Sequence, residues 1–79
     1  MAYKVIDVEA TSIHLKNCCK EKGIKAKDIQ VACLFESRDP VYKWFSTRTK
    51  NLPTLDHFVI LADLLDCKVD DLLVTKERK

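Results

Sequence analysis

Two prolines limit what this chain can build. Pro40, in "DPVYKWF", and Pro53, in "TKNLPT", both lack the backbone donor that a helix interior or a central strand requires. Pro40 is tolerated in a first helical turn, where that donor has no partner anyway, and Pro53 pushes the residue before it out of the α region. The stretch between them therefore holds one short helix, with Asp39 as its expected N-cap and an end near residue 47.

The rest of the chain is punctuated in the same way. Thr11 or Ser12 can cap a first helix over about 12–22, with Leu15, Cys18 and Cys19 on one face, and Gly23, the sole glycine, supplies the left-handed residue that ends it. In "KAKDIQVACLF", Ile29, Ala32 and Cys33 recur at spacings of three and four, which predicts a second helix over about 26–33 and a turn at 34–38. Thr54 caps a fourth helix whose apolar face is Leu55, Phe58, Leu61, Ala62 and Leu65. "VDDLLV" predicts a fifth helix over about 69–74 carrying Val69, Leu72 and Leu73. "YKVIDV" is β-rich but too short to make a sheet alone, so residues 1–10 read as an extended arm, available to pair across a two-fold axis or to pack on its own core. "TKERK", residues 75–79, reads as a frayed tail. The expectation is an all-α, compact five-helix domain over residues 11–74, and 79 residues suffice for one core but not two.

Composition removes several classes of function. An apolar content of 47% against 33% charged residues argues against disorder along the whole length. No apolar run approaches the roughly 18 residues that span a bilayer, and the N-terminus has no basic flank leading into an apolar segment, so the chain reads as soluble and cytoplasmic, with no membrane partner. Cys18, Cys19, Cys33 and Cys67 form no C-x-x-C pair, and His14 and His57 are far apart in sequence, so no metal site is expected and the cysteines read as small buried thiols. Neither histidine has a nucleophile or paired carboxylate at a recognisable spacing, and one glycine cannot build a phosphate loop. The chain is therefore expected not to be an enzyme, with no catalytic residues, no cofactor and no small-molecule substrate.

The net charge of +2 matters less than its distribution. Residues 14–27 carry Lys16, Lys20, Lys22, Lys25 and Lys27 against Glu21, and residues 40–53 carry Lys43, Arg48 and Lys50 with no acid. Residues 54–74 carry five aspartates against Lys68. A basic side and an acidic side suit docking on a polyanion, while scattered solvated charge is the alternative.

The second and third helices, joined by a short turn and followed by a longer loop, have the spacing of a helix-turn-helix. "KEKGIKAKDIQ", "VYKWF", "LPTLDHFVILADLL" and "VDDLLV" together resemble the phage-repressor, XRE-like family of helix-turn-helix domains over about residues 11–74. The resemblance implies a transcriptional regulator, a repressor in the usual case, that lays its third helix in the major groove of double-stranded DNA and binds paired half-sites as a homodimer. Carried onto matching positions, it implies that Ser37, Arg38, Asp39, Tyr42 and Lys43 face DNA, that Val41 and Trp44 face inward, and that Lys25, Lys27, Arg48 and Lys50 are candidates for the phosphate backbone. Three positions depart from the family pattern. Leu34 stands where the turn usually has glycine, Asp39 stands where a related subgroup has glutamine, and the loop "FSTRTKNLP" lacks its usual glycine and is two residues longer. Those departures motivate a second reading from another class, a protein-interaction module that keeps the fold without reading an operator.

Overall fold

The computed structural model describes residues 3–78; Met1, Ala2 and Lys79, at the outer ends of the arm and the tail, lie outside the described residues. Its elements are strand β1 (Tyr3–Ile6), helices α1 (Val8–Lys22), α2 (Ala26–Cys33), α3 (Asp39–Phe45) and α4 (Leu55–Leu65), a single 3-10 turn (Val69–Leu72) and strand β2 (Thr75–Arg78). The all-α, five-helix expectation is overturned. The described residues contain four α-helices and a two-stranded antiparallel sheet formed by the two ends of the chain.

The sheet pairs Tyr3 with Arg78, Lys4 with Glu77, Val5 with Lys76 and Ile6 with Thr75. The arm thus finds its partner in the tail. Strand pairing between residues some seventy positions apart leaves no local signature, and Thr75–Arg78 is exposed throughout, so it has no apolar alternation to reveal it. A lone two-stranded ribbon is marginal in water. Its inner end is secured by a clasp: the Asp7 N–H donates to the Val74 carbonyl at 2.8 Å, and the Thr11 hydroxyl accepts from the Val74 N–H at 3.0 Å and donates to the same carbonyl at 3.1 Å. At its outer end the Arg78 guanidinium lies 5.6 Å from the Tyr3 ring centroid, within cation–π range.

The clasp also corrects the start of α1. The helix begins at Val8, not near residue 12, and Asp7 caps it by accepting from the Ala10 N–H at 3.0 Å. Thr11 and Ser12 are good cap residues by type, but both are fully buried inside the helix. Thr11 spends its hydroxyl on Val74. The Ser12 hydroxyl has no partner among the described residues, a desolvation cost of about 1–3 kcal/mol.

The core draws Leu15 and Cys19 from α1, Ile29 from α2, Val41 and Trp44 from α3, and Phe58, Leu61, Ala62 and Leu65 from α4, closed at one end by Leu72. Each helix buries part of the apolar face predicted for it, while Cys18, Ala32, Cys33, Val69 and Leu73, predicted on those faces, are only half-buried. Leu55, the first residue of α4 and also predicted on its apolar face, is 79% exposed. The predicted fifth helix shrinks to one 3-10 turn because Leu73 leaves it in extended conformation and Val74 enters the clasp that precedes β2. The cysteines are free, but only Cys19 is buried, while Cys18, Cys33 and Cys67 are half-buried. Burial pushes the Cys19 thiol up to about 11, and burial also raises the other three. No helix among the described residues is long and apolar enough to cross a membrane.

Candidate nucleic-acid interface

The α2–α3 corner is built by a backbone motif and an aromatic cluster. After Cys33 the chain turns left-handed at Leu34 (φ 59, ψ 37), whose N–H donates to the Val31 carbonyl at 3.2 Å, while the Phe35 N–H reaches back to the Gln30 carbonyl at 3.0 Å. That pair of bonds is a Schellman motif, and it needs a left-handed residue whatever the side chain. Leucine pays about 1–2 kcal/mol there relative to glycine, so the turn retains the geometry of the glycine form at the cost of strain. Gly23 and Asp66 end α1 and α4 with the same bond pattern, and in all three cases the following residue, Ile24, Phe35 or Cys67, packs against the core.

Phe35 then meets two rings. Its centroid lies 5.5 Å from Trp44 and 4.9 Å from His57, both edge-on, and Trp44 lies 5.5 Å from His57. The turn, α3 and α4 are thereby held together through side chains, which fixes the direction in which α3 leaves the body. His57, which has no role in the sequence reading, is a working part of this cluster, and its backbone N–H also donates to the capping Thr54 hydroxyl at 3.4 Å. An aromatic three residues after a cap was the available signal for it.

α3 differs in detail from expectation. Its N-cap is Arg38, and Asp39 and Pro40 are its first two residues, so Asp39 does not cap the helix. The Asp39 N–H is instead satisfied by the Ser37 hydroxyl at 3.3 Å, and Arg38 Nε donates to Gln30 Oε1 at 3.4 Å, tying the turn to α2. The helix ends at Phe45, two residues short of the expected 47, because the Thr49 hydroxyl donates to the Lys43 carbonyl at 2.8 Å and draws the loop under the last turn. Sequence reasoning missed Thr49, and a hydroxyl shortly after a helix end is the signal that marks it.

Val41 and Trp44 are buried, so α3 turns its other side outward. Asp39, Tyr42 and Lys43 share that side at spacings of three and four, all exposed, with Tyr42 55% exposed. Asp39 therefore stands one turn ahead of Tyr42 and Lys43, a carboxylate at the leading end of the face that carries the lysine. Ser37 and Arg38 are exposed just before it.

The four cations assigned to a backbone role lie in different surroundings. Lys25 is the N-cap of α2, its N–H donating to Asp28 Oδ2 at 2.8 Å, and Lys27 is exposed in the first turn. Arg48 is held in the loop, its N–H donating to the Ser46 hydroxyl at 3.3 Å. Lys50 is left-handed (φ 48) and turns toward the start of α1, where it borders a hollow of about 280 Å³ with Asp7, Glu9 and Lys76. Arg48 and Lys25 each border a hollow that also reaches Phe45 at the end of α3, while Lys50 sits beside Asp7 and Glu9. Among the described residues, no three of His, Cys, Asp and Glu converge on a point that could hold a metal ion.

Comparison of the chain with models of known protein families, with curated proteins and with solved structures gives no match.

Proposed function

We propose that this chain is a sequence-specific DNA-binding transcriptional regulator, acting as a repressor, which inserts α3 into the major groove and binds paired half-sites as a homodimer. The observation that carries the reading is the α2–α3 corner: a locked turn and an aromatic cluster hold a seven-residue helix whose outward side carries Tyr42 and Lys43. Lys43 can donate to guanine O6 or N7, and Tyr42 can donate to phosphate or pack on a thymine methyl. Such a helix, about 10 Å long, reads only a few base pairs, which is why two copies on adjacent half-sites are part of the proposal.

The test is selection of bound sequences from random duplex DNA at two salt concentrations. Enrichment of a paired motif at the higher salt supports the reading, with the motif lost in Lys43→Ala and Tyr42→Ala. Absence of any duplex binding at about 50 mM salt overturns it.

A specific observation keeps the interaction-module reading in view. Leu34 is 90% exposed, and Val31, one turn before it on α2, is exposed as well. A stable complex with another protein that survives neutralisation of Lys43 and Arg48 but not Leu34→Ser would favour that reading.

A further inference from the structure

Two hollows lie along one side of α1, and they share lining residues. The first, of about 540 Å³, is bordered by Lys16, Asn17 and Lys20 of α1, by Phe45 at the end of α3, and by Arg48 in the loop after it. The second, of about 360 Å³, is bordered by Lys16, Lys20 and Phe45 again and reaches Lys25 at the start of α2. Because Lys16, Lys20 and Phe45 belong to both, the hollows form one continuous strip, and neither has a carboxylate among its lining residues.

The strip joins what the sequence separates. Lys25 precedes α3 in the chain and Arg48 follows it, and each shares a hollow with Lys16 and Lys20 of α1. Lys16 and Lys20 are one helical turn apart, with Cβ atoms about 6 Å from each other. Both are exposed and project their flexible stems beside the C-terminal end of α3.

We infer that Lys16 and Lys20 are DNA-backbone contacts, extending the interface from α2 and α3 onto α1, and that the strip Arg48–Lys16–Lys20–Lys25 lies along one phosphate wall of the groove that α3 enters. The inference rests on the DNA-binding reading above. The geometry suits it because α3 is about 10 Å long and the major groove about 12 Å wide, so when the outward side of α3 faces the bases, its C-terminal end sits beside the phosphates. Lysine ammoniums are point charges on mobile stems, fitted to phosphate and carrying no base preference. Asn17, Ser46 and Thr47 supply neutral donors in the same hollow.

The experiment measures affinity for a random-sequence 20-base-pair duplex between 50 and 200 mM salt, for the wild type, for Lys16→Gln/Lys20→Gln and for Lys68→Gln as a control. Circular dichroism verifies that the variants fold. Each phosphate neutralised contributes a slope of about −0.9 in log affinity against log salt, so the double variant should lose close to two units of slope per bound chain. Over that fourfold rise in salt the wild type should then weaken about tenfold more than the double variant, while Lys68→Gln follows the wild type. A wild type that binds with an unchanged slope in the double variant overturns this inference alone. A wild type that binds no duplex at 50 mM salt overturns it together with the DNA-binding reading.

Discussion

The α2–α3 corner and the terminal sheet hold their shapes by different means. The corner is fixed from inside, by Val41 and Trp44 in the core, the contacts of Phe35 with Trp44 and His57, and a backbone motif that closes the turn. The sheet has almost no buried face: β2 is wholly exposed, only Val5 of β1 is half-buried, and the clasp through Asp7, Thr11 and Val74 attaches it to the body. Apolar burial is spread over many contacts, whereas the clasp concentrates attachment in a few hydrogen bonds each worth about 1 kcal/mol net. The corner should therefore fail only when the whole core fails, and the sheet should be able to open by itself.

The strongest test of that contrast is Trp44→Ala. Removing a buried indole costs about 3–5 kcal/mol, a large share of the stability of a domain this small. We expect loss of cooperative thermal unfolding near body temperature, followed by far-ultraviolet circular dichroism. A variant that melts within a few degrees of the wild type would mean that the aromatic cluster does not support the corner.

The next effect concerns pH. Burial pushes the Cys19 thiol up to about 11, from an ordinary value near 9, so the unfolded chain loses this proton first as pH rises. Stability from this source is complete below pH 9 and falls as pH climbs from 9 through 11, by on the order of 2 kcal/mol at the upper end. Urea midpoints at pH 8 and pH 10.5 should show that fall in the wild type and a smaller one in Cys19→Ala, a comparison that cancels the lysine background. Equal falls in the two proteins would show that Cys19 is not the source.

On the other side of the contrast, Thr11→Val preserves shape but leaves the Val74 N–H without its acceptor, at roughly 1–3 kcal/mol. Hydrogen exchange should accelerate by about tenfold or more at the amides of β1 and β2, while those of α2 and α4 keep their protection. Uniform acceleration across all helices would show instead that sheet and body open as one unit.

The same contrast explains what the sequence made legible. The four helices and most of the core could be read because each signal is local: Pro40 and Pro53 as breakers, Gly23 as a stop, Thr54 as a cap, and Phe58, Leu61, Ala62 and Leu65 as one face. The sheet could not, because its partners lie at opposite ends of the chain and β2 is polar throughout. Thr11 and Ser12 both offer a cap by residue type because a hydroxyl near a helix start can serve several purposes, and only the position of Val74 decides what Thr11 does. For the candidate site, the outward placement of Tyr42 and Lys43 came from the resemblance, and the burial of Val41 and Trp44 accords with it. The bridge through Lys16 and Lys20 required knowing that α1 lies against the end of α3.

The smallest effects separate conformational cost from packing at two helix ends, only one of which lies in the corner. Gly23 and Leu34 occupy equivalent left-handed positions in the same motif, at φ 70 and φ 59. A Cβ added at Gly23 would meet nothing within 4 Å, so Gly23→Ala should cost about 1 kcal/mol, all of it from the backbone. Leu34→Gly runs the other way: it releases about 1–2 kcal/mol of left-handed strain and loses about 0.5–1 kcal/mol to the greater freedom of glycine in the unfolded chain. With Leu34 90% exposed there is little packing to forfeit, and a net gain of a few tenths of a kcal/mol up to about 1 kcal/mol should appear in urea unfolding. Destabilisation by Leu34→Gly would mean that the exposed leucine makes contacts in solution that the isolated chain does not contain, and dilution of the sample would reveal whether a second copy supplies them.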